Sequence, residues 1–216
     1  MSFAWSHSAW STFNNCPKQY YHLKIAKDFK QKETEENTEG RRIHDALFRR
    51  VLRNVTLPPP YRHMEPTCAK FAAARGEKYG EMKLALNEHL QPVDYFASDV
   101  WVRVVIDLLI ARGTHGIIVD WKTGKKKDDF DQLELSAACL ACAMPELETF
   151  DILYVWLKSK EISQRQLDRE ELTEVWAKYL PRVEDMKRAV KTTSFGAQPS
   201  GLCSWCPVTT CPHFRP

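Results

Sequence analysis

Two apolar runs dominate the middle of the chain, "VWVRVVIDLLI" (100–110) and "GIIVDWK" (116–122), parted by the turn-forming "ARGT". Both are rich in β-branched residues, which predicts strands. "FDILYVWLKS" (150–159) predicts another, and "KLALNEHL" (83–90) opens the sheet. Helical spacing marks "HDALFRRVLRNV" (44–55), with Ala46, Leu47, Val51, Leu52 and Val55 on one face. It also marks "FDQLELSAACLACAM" (130–144), where Phe130, Leu133, Ala137 and Leu140 form the buried side. "TCAKFAAARGEKYGEM" (67–82) predicts a helix, and "DREELTEVWAKYLPRVEDMKRAVKTT" (168–193) a long one interrupted at Pro181. "KQKETEENTEGRR" (30–42) reads as an exposed loop, "LPPPYRHMEP" (57–66) as a break, and the tail 195–216 as loop. The pattern is that of an α/β domain, a central mixed sheet flanked by helices, in a single unit spanning 1–216.

Each central run carries one aspartate where a buried strand wants none. If the runs pair as a hairpin with Arg112 opposite His115, then Asp107 lies opposite Asp120. Opposed residues have Cβ atoms about 4.5–5.5 Å apart, so two carboxylates there repel. A divalent cation between them removes the conflict, and Mg²⁺ or Mn²⁺ suits carboxylate and water oxygens. Asp120 and Lys122 are two apart, so a strand presents both on one face. A lone D-x-K is most often a surface strand. The register-matched second aspartate is what points to a metal-and-water site, where a cation orients a nucleophile or stabilises charge on a phosphate.

Length and composition suit one packed domain, and the net charge of +3 permits a nucleic-acid partner without demanding one. No apolar run is long enough to span a bilayer, and the first residues lack the pattern of a signal peptide, so the expected location is the cytoplasm, at the nucleoid. No G-x-x-x-x-G-K-[ST] loop is present, which excludes a P-loop motor within this sequence. Seven cysteines, an odd number, argue against a disulfide framework in a reducing compartment and raise the question of metal ligation. Cys203, Cys206 and Cys211 form C-x₂-C-x₄-C, a spacing that grips one metal centre but leaves a ligand wanting. Cys139 and Cys142, within an apolar helix, and Cys68 read as packing residues.

Taken in order, "SHSAWSTFNNCPKQYY", "GRRIHDAL", "VVIDLLI", "IIVDWKTGK", "QLELSAACLA" and "CSWCPVTTC" resemble the PD-(D/E)XK nuclease superfamily. Within it they are similar to the RecB-type branch that includes CRISPR-associated protein four. The resemblance implies a restriction-endonuclease-like core and a metal-dependent DNA exonuclease acting on ends or single strands, in recombination, repair or phage or CRISPR DNA processing. It implies that His44, Asp107, Asp120 and the Trp121 carbonyl bind the catalytic metal, that Lys122 activates the water, and that Gln132 supports the lysine and contacts DNA. It further implies a [4Fe–4S] cluster held by Cys16, Cys203, Cys206 and Cys211, clamping 1–25 to 195–216. Zn²⁺ would satisfy the same four thiolates, and His213 is a second-choice ligand. Two positions depart from the pattern: Ser136 stands where a tyrosine is usual, and Val104 where a glycine is.

The expected partner is DNA, with a helicase, recombinase or single-strand-binding protein as a further partner. Phosphate contacts are expected from Lys125, Lys126 and Lys127 and from Arg41, Arg42, Arg49 and Arg50. Trp10, Phe13, Tyr20 and Tyr21 are candidates to stack on bases or to pack around the cluster. The rival reading is a nuclease-fold DNA-binding module without catalysis, or a subunit of a larger DNA-processing complex.

Overall fold

The computed structural model describes residues 3–127 and 129–215; Met1, Ser2, Asp128 and Pro216, which the 1–216 domain reading includes, lie outside them. The chain runs α1 (His7–Asn15), α2 (Pro17–Tyr20, continued by a π turn to Ala26), α3 (Glu35–Arg53) and α4 (Glu65–Ala73). Then come β1 (Glu77–Leu86), β2 (Pro92–Val93), β3 (Val102–Arg112), β4 (His115–Lys122), α5 (Asp131–Ala143), β5 (Thr149–Trp156), β6 (Glu161–Asp168) and α6 (Leu172–Thr192). The strands form one sheet in the order β2-β1-β3-β4-β5-β6. Only the β4–β5 pair is parallel, with α5 as its crossover, so the sheet is mixed as expected.

Helices cover both faces. On one face α1, α5 and α6 bury Phe13, Leu133, Leu140, Tyr179 and Val183 against Val104, Ile106, Ile118 and Ile152. On the other, α3 and α4 bury Leu47, Val51, Cys68 and Phe71 against Leu108, Ile110, Val119, Trp121 and Val155. Strict alternation along β4 therefore sends Ile118, Asp120 and Lys122 toward α5, and Val119 and Trp121 toward α3.

The hairpin register is Arg112↔His115, with Gly113 at φ +58 in its two-residue turn. Four expectations need correction. The helix predicted over 67–82 ends at Ala73, and β1 begins at Glu77. Gly76 sits at φ +131, and a Cβ there would meet the Ala111 carbonyl oxygen at 2.6 Å, so the chain breaks and joins the sheet. The loop predicted over 30–42 becomes helix from Glu35, because the Thr34 hydroxyl caps the Asn37 N–H. Pro181 does not interrupt α6. Pro181 and Ala177, whose carbonyl loses its helical donor, are exposed, so the carbonyl faces solvent rather than a buried, unsatisfied site. Finally β6 was not foreseen, since "EISQRQLD" offers few apolar residues and pairs on the sheet edge.

Candidate active site

The β3–β4 ladder runs from Arg112↔His115 to Leu108↔Val119 and stops there. Continued by one step, that register sets Asp107 opposite Asp120. The strands instead part: the Trp121 N–H donates to Asp107 Oδ2 at 2.9 Å rather than to a backbone carbonyl of β3. The gap so opened holds two linked groups of side chains.

The first group lies on the α5 side. Asp120, 7% exposed, accepts from Gln132 Nε2 at 3.0 Å through Oδ1 and faces Lys122 Nζ at 2.8 Å through Oδ2. Lys122 Nζ in turn donates to Gln132 Oε1 at 3.0 Å. The three side chains form a closed triangle, in which α5 supplies the amide that satisfies both charged partners. Lys122 also lies over the Tyr154 ring, 4.9 Å from its centroid. Asp120 Oδ2 is buried, and its approach to Lys122 lacks hydrogen-bond geometry, so this oxygen has room for another electropositive partner. Burial pushes the Asp120 carboxyl from its ordinary 3.8 up to about 6, with the Asp107 charge adding and Lys122 opposing.

The second group lies under α3. His44 Nδ1 is 3.3 Å from Asp107 Oδ2. Side-chain donor atoms of His44, Asp107 and Glu81 all lie within 4.8 Å of one another, close enough for the three to hold a metal ion together. For His44, burial works to lower the imidazole, but Asp107, Asp120 and Glu81 outweigh it and hold the ring above its ordinary value. Glu81 is raised, by burial first and the Asp107 charge second. The His44 shift marks the negative charge gathered around the ring, which a divalent cation would balance. A cavity of about 670 Å³ opens over this group, lined in part by Gly40, Arg41, His44, Glu81 and Asp107.

Of the expected residues, then, Asp107 and His44 meet directly, while Asp120, Lys122 and Gln132 meet each other. Glu81 is not among the residues the sequence points to, because the pattern over 67–82 predicts a helix. The usable signal was the alternation of Met82, Leu84 and Leu86, which places β1 beside β3 with Glu81 at the level of Asp107. Ser136 is 3% exposed and donates to the Gln132 carbonyl at 3.0 Å, a back-bond within α5. Val104 is buried in the core.

The four cysteines from the two ends of the sequence, Cys16, Cys203, Cys206 and Cys211, line one cavity of about 230 Å³, with His213 also in its wall. Lys18 N–H donates to the Gly196 carbonyl at 3.1 Å, joining the ends beside it. Two thiols accept backbone N–H groups, Cys16 from Gln198 at 3.4 Å and Cys203 from Ser200 at 3.3 Å. Burial raises the Cys206 thiol; the Val208 N–H opposes this, and Cys16, Cys211 and Cys203 add to it. Among the described residues no three cysteine sulfurs lie within 4.8 Å of one another, so the thiols surround a space rather than meet at a point.

The remaining expectations divide. Phe13 and Tyr20 are buried edge-to-face at 5.5 Å, Trp10 packs on Tyr179 at 4.7 Å and Tyr21 on Phe195 at 4.9 Å, so all four serve packing. Cys68 and Cys139 are core residues. Arg42, Arg49 and Arg50 pair with Glu39, Asp45 and Glu65, and Arg41 with Glu33, which limits their role as phosphate contacts. Lys125, Lys126 and Lys127 are exposed on the loop that follows β4.

The family model of the PD-(D/E)XK nuclease superfamily matches residues 4–212. No curated protein matches the sequence significantly. Among solved structures, a chain from Eubacterium rectale named "Putative exonuclease" aligns with a TM-score of 0.55 at 15% identity, over 94% of this chain and 86% of that one. SSO0001 aligns over 100% of this chain and 89% of its own at 10% identity, with a TM-score of 0.44. At such identity the likeness to the Eubacterium rectale chain concerns the fold.

Proposed function

The chain belongs to the PD-(D/E)XK nuclease superfamily, and on that premise we propose that it is a divalent-metal-dependent deoxyribonuclease that hydrolyses DNA at the gap between β3 and β4. The observation that carries this reading is the closed Asp120–Lys122–Gln132 triangle beside the His44–Asp107–Glu81 group. His44, Asp107, Glu81 and Asp120 would hold Mg²⁺ or Mn²⁺, with the Trp121 carbonyl as a further ligand. The buried Oδ2 of Asp120 and the excess negative charge fit that role. When bound, the ion supplies a Lewis acid for the phosphate oxygens.

The residues of the chain do the rest. Gln132 holds Lys122 Nζ at a fixed place next to Asp120, so the ammonium points where a water attacks phosphorus. The lysine stabilises negative charge on that water and on the phosphoryl oxygens in the transition state. Burial of Asp120 keeps bulk water away from the triangle, which strengthens each of these interactions.

Exonuclease action on ends or single strands fits the RecB-type motif order and agrees with the name of the Eubacterium rectale chain. The pathway is recombination, repair or phage or CRISPR DNA processing, at the nucleoid, with a helicase, recombinase or single-strand-binding protein as partner. No helix among the described residues is long and apolar enough to cross a membrane. The domain is a single unit over 1–216, in which 1–25 and 195–216 bind a [4Fe–4S] cluster through Cys16, Cys203, Cys206 and Cys211. A tetrahedral Zn²⁺ site, with Zn–S near 2.3 Å, draws its sulfurs to roughly 3.8 Å of one another. The same four thiolates would also suit Zn²⁺, and the metal content of the anaerobic protein decides between the two.

End-labelled single- and double-stranded DNA, incubated anaerobically with Mn²⁺ or Mg²⁺, tests the reading. Cleavage by the wild type and none by Asp120→Ala is expected. Equal rates for the two proteins would leave a DNA-binding module without catalysis.

A further inference from the structure

A second feature lies at the far end of the gap. Between β2 and β3 the chain turns at Asp94, whose carboxylate accepts the Phe96 N–H at 2.9 Å and whose carbonyl accepts the Ala97 N–H at 3.0 Å. The turn holds Phe96 outward, 79% exposed. Tyr95 lies edge-to-face with it at 5.2 Å. Two cations bracket Tyr95: the Arg103 guanidinium is 5.6 Å and Lys83 Nζ 5.8 Å from the ring centroid. Arg103 is anchored by donating from Nε to the Tyr95 carbonyl at 2.8 Å. Unlike Arg41, Arg42, Arg49 and Arg50 of α3, neither Lys83 nor Arg103 forms an ion pair among the described residues.

This corner communicates with the catalytic triangle. A cavity of about 280 Å³ is lined by Tyr95 and Arg103 from this corner and by Gln132 of the triangle, together with Ser6, His7 and Val105. It exists because β4 leaves β3 after Val119, while the N-terminal segment meets β3 only at the Trp5–Val102 bridge. The uncovered stretch of β3 is the cavity floor.

An exposed phenylalanine alone is ordinary on a protein surface. Here it is one of two adjoining aromatic rings, beside two cations without ion pairs among the described residues, and its neighbour Tyr95 lines a cavity that Gln132 also lines. Aromatic faces that stack bases, beside cations that hold phosphates, are how single strands are gripped. Within a duplex the bases are already stacked on each other, so apart from a terminal pair only an unpaired nucleotide has a face to offer Phe96.

We propose that Phe96, Tyr95, Lys83 and Arg103 form a stacking platform for an unpaired nucleotide of the DNA strand that enters the catalytic gap. The proposal rests on the nuclease reading for its substrate, and it locates a single-strand preference in a particular corner of the fold.

Fluorescence anisotropy of labelled oligo-dT and of a blunt duplex, measured in EDTA on the Asp120→Ala protein with and without a second change at Phe96, tests it. Phe96→Ala should weaken oligo-dT binding about tenfold, the scale of one lost base stack. Duplex affinity should change far less, and Phe96→Tyr should restore single-strand binding. In the active protein Phe96→Ala should raise KM for oligo-dT more than it lowers kcat. Unchanged oligo-dT affinity in Phe96→Ala, or an equal loss for duplex, would overturn the platform. A change of oligomeric state in sedimentation would overturn it too, by making Phe96 a protein contact. Failure of the nuclease reading is separate: the wild type would cleave no DNA with Mn²⁺, while the Phe96 effect on binding would still be decided in EDTA.

Discussion

Asp120→Asn isolates the cost of holding a carboxylate inside the sheet. Asp120 is 7% exposed, and its carboxyl is pushed from 3.8 to about 6 by burial, with Asp107 adding. A shift of about two pKa steps corresponds to about 3 kcal/mol of destabilisation when the group is ionised in both folded and unfolded chains. That full cost applies above about pH 6. Between about pH 6 and 3.8 the folded protein takes up the proton first and the cost shrinks; below 3.8 both states are protonated and it vanishes. Asparagine keeps an acceptor for Gln132 Nε2 and removes the charge. In EDTA at pH 7.5 the variant should therefore be more stable than the wild type by up to about 3 kcal/mol, raising Tm by roughly 6–12 °C in a chain of this size. At pH 4.5 most of the gain should be gone. With Mn²⁺ the order should reverse: the wild type gains stability from the ion, while the variant gains little and does not cleave. Differential scanning calorimetry at both pH values, with and without Mn²⁺, makes the comparison. A variant less stable than the wild type in EDTA at pH 7.5, or equally favoured at both pH values, would refute the reasoning.

Gln132→Leu removes the partner shared by Lys122 and Asp120; loss of such charge-assisted bonds should lower kcat about 10–100-fold with a smaller change in KM. Steady-state kinetics on a single-stranded oligonucleotide check this, and a kcat within a factor of about two of the wild type would remove Gln132 from the mechanism. His44→Ala and Glu81→Gln should each raise the Mn²⁺ concentration for half-maximal activity by at least about tenfold, a loss that even outer-shell metal partners incur; an unmoved midpoint for Glu81→Gln would take Glu81 out of the ligand set. If the four cysteines hold a cluster as proposed, Cys211→Ala should lose bound iron and visible absorbance, and its Tm should fall with the loss of the link between the two chain ends. A colourless anaerobic wild type carrying stoichiometric zinc would sink the iron–sulfur assignment.

Much of the Asp120–Lys122–Gln132 triangle is legible in the sequence because its causes are local. The two-residue turn at Gly113 sets Arg112 opposite His115, and from there counting by one places Asp107 level with Asp120. The period of two along β4 puts Asp120 and Lys122 on one face, and helical spacing puts Gln132 on the first turn of α5. Chain geometry and turn chemistry decide such relations without reference to the rest of the molecule. The C-terminal cysteine spacing is local in the same sense.

What the tertiary structure alone decided concerns partners distant in sequence. Glu81 reaches His44 and Asp107 only because the segment after Gly76 joins β3 as a strand, and propensity in that alanine-rich stretch points the other way. The parting of β3 and β4 could not be read from either strand, since it arises from the Trp121 N–H choosing a carboxylate over the ladder. The Phe96 corner likewise depends on where β2 ends relative to the uncovered part of β3. The sequence determined which side chains share a strand or helix face, because neighbouring residues are joined by covalent geometry. Which faces meet was settled by sheet pairing and burial across the whole chain, because those energies depend on contacts that no local pattern contains.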